Sequence, residues 1–118
     1  NVQGLEFESA KSLYIDKNYA QAARAFENYL RSYPQSAQKA EALFFVGDAF
    51  LQAGDTDRAV GYFKQLEREP AAPQRVRAMQ KLGMIELNKG NYAAAIPYLE
   101  TASQNARNKV EEAEAVQG

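Results

Sequence analysis

One pattern of small and large apolar residues comes round three times in this chain. Its first round holds Ala10, Leu13, Tyr19, Ala22 and Phe26 and closes on Pro34. The second holds Val46, Gly47, Phe50, Gly54, Ala59 and Phe63, and the third Leu82, Gly83, Gly90, Tyr92, Ala95 and Leu99. The equivalent residues Ala10, Gly47 and Gly83 stand 37 and then 36 residues apart. Such a period limits the fold more than composition does. A unit of that length is too small to bury its own apolar face, and stacking units on one another gives a continuous core.

Inside each unit the apolar spacing is helical: Ala22, Phe26, Tyr29 and Leu30 in one, Ala59, Tyr62, Phe63 and Leu66 in the next. Gly54 and Gly90 stand where a first helix must end and turn back, and Lys17 holds that place in the first unit. Asn18, Asp55 and Asn91 follow as caps of the second helices, Asn18 with Gln21 at capping-box spacing. Pro34 closes the first pair, and Pro70 with Pro73 the second. The spacing predicts helices over about 3–16, 19–32, 36–53, 56–67, 73–89, 92–104 and 107–117. The fold class expected is all-α. Three helix pairs, over about 3–36, 37–73 and 74–106, form a right-handed superhelical array followed by a terminal helix within 107–118. That last helix puts Val110, Ala113 and Val116 on one face. It reads either as a capping helix or as the start of a truncated fourth repeat, since Gly118 lies 35 residues after Gly83.

Composition removes several function classes. Of the 118 residues 46% are hydrophobic and 25% charged, the balance of a single folded domain. The net charge of -1 lacks the basic excess of a nucleic-acid binder. With no Cys and no His there is no disulfide framework, no thiolate or imidazole metal site, no cysteine nucleophile and no histidine base. Glycines are scattered singly, so phosphate-cradling loops are missing. Glu111, Glu112 and Glu114 are spaced as a solvated helix face and not as a calcium loop. No catalytic residue, cofactor or metal is therefore expected. The longest strongly apolar run, Ala42 to Val46, is far short of the roughly 20 residues of a membrane helix, so no direct membrane insertion is expected. The opening Asn1-Val2-Gln3-Gly4 reads as the start of an excised or processed chain.

The stretch from Tyr19 to Phe63 resembles tetratricopeptide repeats. Its F-x-x-Y-L-x-x-Y-P-x-S run (Phe26, Tyr29, Leu30, Tyr33, Pro34, Ser36) is similar to a bacterial cell-envelope subgroup, with repeats of the Tol–Pal-associated adaptor and outer-membrane assembly lipoprotein type. Val46-Gly47-Asp48 looks like the L-G-E of that group. The third repeat lacks the Y-P-x-S ending and carries Ala102-Ser103-Gln104 there. The resemblance implies a non-catalytic scaffold for protein or peptide partners within a larger envelope or periplasmic protein, with a cytoplasmic setting as the alternative. Some family members grip a C-terminal carboxylate through Lys and Asn on their first helices. Here Phe7 and Asp48 stand at two of those places, and Asp48 opposes such a ligand.

In a superhelical stack the first helices line the concave side, where repeat proteins bind. Partner contacts are accordingly expected from Phe7, Lys11 and Tyr14, from Phe44, Asp48 and Leu51, and from Arg77, Lys81, Met84 and Leu87. Apolar stripes with mixed charges suit an amphipathic helix or an extended peptide. The aromatic residues Phe26, Phe45, Phe50, Phe63, Tyr19 and Tyr92 are expected in the core. The alternative reading is a structural spacer or self-associating repeat module without a peptide ligand, associating weakly through its C-terminal end.

Overall fold

A computed structural model describes residues 1–69 and 71–117, with side chains described as far as Asn105 apart from Pro70. Among the described residues there are six helices and no strand: α1 (Val2–Ile15), α2 (Tyr19–Ser32), α3 (Lys39–Gln52), α4 (Thr56–Glu67), α5 (Gln74–Asn88) and α6 (Tyr92–Gln117). None is long and apolar enough to cross a membrane.

Each turn inside a pair uses a left-handed residue at the expected place. Gly54 and Gly90 have φ of 94° and 81°. Lys17 adopts φ 66° without glycine's freedom, which strains that turn. Within a pair the helices cross closely. A Cβ at Gly47 would come within 2.8 Å of the Phe63 ring, and one at Gly83 within 2.7 Å of Leu99. The third crossing uses Ala10, which is fully buried.

Helix α3 lies at the middle of the stack and packs on α2, α4, α1 and α5. It buries Ala42, Leu43, Val46, Gly47, Asp48, Ala49 and Phe50. Phe26, Phe63, Leu66 and Leu82 continue that core to either side. Because buried residues come from α1, α2, α3, α4 and α5, the core is a ribbon along the stack with no single centre, each large side chain stabilising it by roughly 1.5–3 kcal/mol. The radius of gyration, 15.5 Å, exceeds the about 13.5 Å of a compact domain of this length.

Several sequence expectations are corrected. Helix α3 begins at Lys39 and not near residue 36. The Ser36 hydroxyl accepts the Gln38 N–H at 3.0 Å, and the Tyr33 and Ser36 carbonyls take the Ser36 and Lys39 N–H groups, so the intervening residues form turns. Asn18 makes no side-chain cap bond, so the capping box is absent, whereas Asp55 caps α4 through the Arg58 N–H. Tyr92, expected in the core, is 62% exposed. No break separates 92–104 from 107–117, because the sequence between Ala102 and Lys109 holds neither Gly nor Pro, and α6 runs on as one helix. The separate terminal helix is thus the continuation of α6. The inward face expected of Val110, Ala113 and Val116 lies outside the described side chains, and Pro70 and Gly118 lie outside the described residues.

Candidate functional site

Curvature defines the site. First helices approach one another, α1 on α3 and α3 on α5, while among the described residues the backbones of the second helices α2, α4 and α6 stay apart. An array pinched along α1, α3 and α5 and splayed along α2, α4 and α6 has its first helices on the inside.

Three of the expected residues meet there. The Tyr14 hydroxyl donates to Asp48 Oδ2, and Lys81 Nζ lies 3.4 Å from Asp48 Oδ1. That second contact is an ion pair without hydrogen-bond geometry. One residue from each first helix is thereby tied into a polar line along the inner face. Burial, and then the Asp48 carboxylate, push the Tyr14 hydroxyl well above its ordinary value near 10. Asp48 is only 4% exposed. This corrects its expected role: it is an internal tie with its charge balanced by Lys81, and a partner does not reach it.

Phe7 is corrected as well. It is 1% exposed, its ring enclosed by Phe26, Tyr29 and Phe45 with centroids 5.9, 5.3 and 6.4 Å away. Because α1 leans on α3, a side chain turned inward at Phe7 meets Phe45 and not the groove. Lys11 stays at the surface with its ammonium 5.6 Å above the Phe7 ring. Phe44 is half-buried between the edges of Phe45 and Phe63. Leu51 is half-buried and lines a shallow groove with Ile85, Asn88 and Lys89. Arg77, Met84 (46%) and Leu87 (37%) are exposed. Of the residues expected on the inner side, Arg77, Met84 and Leu87 are thus exposed and Phe44, Leu51, Lys11 and Lys81 half-buried.

Two further polar ties escaped sequence reasoning. On the splayed side Tyr62 of α4 donates to Glu27 of α2 at 2.6 Å, bridging helices whose backbones stay apart. Burial and then Glu27 raise the Tyr62 hydroxyl well above its usual range, and burial with Glu67 raises Tyr98 of α6. Tyr62 and Tyr98 are 36 residues apart, the repeat period itself, which was the available signal. The second tie explains the Y-L-x-x-Y-P-x-S run. The Tyr29 and Ser36 hydroxyls lie 2.6 Å apart, and the same Tyr29 hydroxyl meets Gln3 and Gln38 at 3.4 Å. Tyr29 and Ser36 thus fasten the loop that delivers the chain into α3. Among the described residues no three carboxylates converge as metal ligands.

The fold and its inner face define a helical-repeat protein, and the sequence fixes which kind: the chain belongs to the tetratricopeptide repeat family, whose model matches residues 7–75 and 47–110. Among solved structures it is similar to the crystal structure of MamA, with a TM-score of 0.78 at 17% identity over 92% of this chain. At that identity the likeness is one of fold. The chain spans 61% of the MamA chain's length. No curated protein matches the sequence.

Proposed function

We propose that the chain is a non-catalytic scaffold that holds a segment of a protein partner against the inner face of α1, α3 and α5. The observation carrying this reading is the pairing of Met84 and Leu87, exposed one helical turn apart on α5, with half-buried Leu51 of α3 lining a shallow groove against the same helix. Apolar groups left in water on a surface shaped by inter-repeat packing are anchors in waiting. Asp48 is already occupied by Tyr14 and Lys81, while the Arg77 guanidinium on α5 is exposed. The partner that fits is a short amphipathic segment presenting apolar side chains and a carboxylate. A cell-envelope setting rests on the resemblance of the Y-P-x-S run and belongs to the same proposal.

The test is selection of 12–16-residue peptides from a random display library, followed by calorimetry. Met84→Ala with Leu87→Ala should weaken the selected peptide by about 2 kcal/mol or more without loss of helicity. The matched control is Gln65→Ala with Glu100→Ala on exposed second-helix positions. Glu27 is unsuitable as a control because Tyr62 depends on it. Equal binding by the parent and the Met84/Leu87 variant would overturn the reading.

A further inference from the structure

Successive repeats meet at two junctions inside the array, the pair α1 and α2 against α3, and the pair α3 and α4 against α5. On the side of the second helices the two junctions are alike. Phe26, Ala42 and Val46 at the first have Phe63, Ala78 and Leu82 as their equivalents at the second, and all are buried. A tyrosine stands beside a glutamate across both, Tyr62 by Glu27 and Tyr98 by Glu67.

On the inner side the junctions differ. The ring of Phe45 fills the first, with centroids 6.4, 5.0 and 5.3 Å from those of Phe7, Tyr14 and Phe26. Its equivalent at the second junction is Lys81, and α5 carries no aromatic residue. The rings of Tyr14 and Tyr19, 5.6 Å apart, close one corner of the first junction. Their equivalents Leu51 and Thr56 leave that corner of the second as a shallow groove, bounded by Ile85, Asn88 and Lys89. The polar link between α3 and α5 is the ion pair of Lys81 with Asp48, and Asp48 Oδ1 accepts no hydrogen bond from the protein.

We infer that the second junction is a hinge latched by the Asp48–Lys81 pair, on which the third repeat swings as a unit while the first two repeats move together. The two positions of the hinge are close in free energy because each satisfies what the other leaves. With the latch closed, Lys81 balances a carboxylate that is only 4% exposed, but one carboxylate oxygen stays buried without a donor. With the latch open, the ion pair is lost and water reaches that oxygen. The first junction offers no such exchange, since parting Phe45 from its neighbouring rings exposes only hydrocarbon to water. The buried contact of α4 with Ala78 and Leu82 is the pivot. Parting α5 from α3 about that pivot tips α6 toward α4, a hinge closure on the splayed side. On the function proposed above, the swing fits the spacing of Leu51 and Met84 to the partner, but the hinge itself stands without that reading.

The experiment is double electron–electron resonance on the 118-residue chain, which has no Cys of its own. Nitroxide labels at Ala20→Cys with Asp57→Cys span the first junction, and labels at Asp57→Cys with Ala93→Cys span the second. The three positions are equivalent in the repeat and exposed. The first pair should give one narrow distance. The second should give a broader distribution with an added component at shorter distance. Lys81→Gln should enlarge that component several-fold and leave the first pair unchanged. Asp48→Leu with Lys81→Phe, which makes the second junction apolar like the first, should remove it. Far-UV circular dichroism verifies the fold of each variant, and the comparison of the two label pairs in the parent needs neither. Equal widths for the two pairs overturn the proposal. So does a folded Lys81→Gln variant whose second distribution matches the parent's, or a shorter component that survives in the apolar variant. No peptide enters these measurements, so their outcome leaves the groove to its own test with Met84 and Leu87.

Discussion

Chemically identical substitutions of single residues should have opposite effects in this chain. Gly47→Ala drives a methyl into the ring of Phe63, a fully buried and rigid neighbour. It should destabilise the chain by about 1–3 kcal/mol. Gly83→Ala meets Leu99 at Cδ2 and Cγ and the Tyr98 Cβ, which the α6 backbone holds in place, so its cost should be of the same order. Gly61 is exposed within α4 with nothing near its Cβ position, and Gly61→Ala should stabilise by about 0.5–1 kcal/mol through helix propensity. Urea midpoints of the three variants check this order, and a destabilised Gly61→Ala would show that the helix packing is misassigned there. The tyrosine ties make a separate prediction. Tyr14 and Tyr62 hold their protons to higher pH when folded than at the ordinary value of 10.0. The folded state therefore binds more protons above that pH, so the contribution is full below it and is lost as pH rises through the raised values. Melting temperature should be level between about pH 7 and 9 and fall above about 10, and Tyr14→Phe with Tyr62→Phe should fall less steeply. An unchanged alkaline slope in the double variant would remove these hydroxyls from the explanation.

Among the elements, caps that read alike in the sequence differ in fact. Asp55 accepts the Arg58 N–H at 3.2 Å, while the Asn18 side chain caps nothing. Thermal melts should accordingly show Asp55→Ala lowering stability by about 1 kcal/mol and Asn18→Ala changing it by a few tenths at most. Equal losses would contradict the cap assignment. Helix existence and pairing were legible because the small crossing residues, the left-handed turns and the 3.6-residue spacing agree with one another. The start of α3 was not, because its delay depends on the Ser36 hydroxyl turning back to the Gln38 N–H, and residue spacing alone does not reveal such a bond. The extent of α6 was misread for a different reason. A repeat period states where the next unit is due, whereas a helix stops only where a residue stops it, and none does so between Ala102 and Lys109.

For the whole molecule, the repeat register told which helices approach one another on the inner side, but not which of their side chains stay at the surface. Which side of α1 turns inward follows from the repeat register, but how closely α1 leans on α3 does not. That approach decides that Phe7 enters the core and that Asp48 is sealed between Tyr14 and Lys81. Met84 and Leu87 of α5 remain exposed. Function on this account is a property of the curved array: the packed first helices supply a shaped surface, and the splayed second helices leave it concave. The most direct measurement of that claim is backbone amide chemical-shift mapping of a selected peptide on the parent chain. The perturbed amides should cluster around Phe44, Leu51, Arg77, Met84 and Leu87. Perturbations confined to the outward faces of α2, α4 and α6 would contradict it.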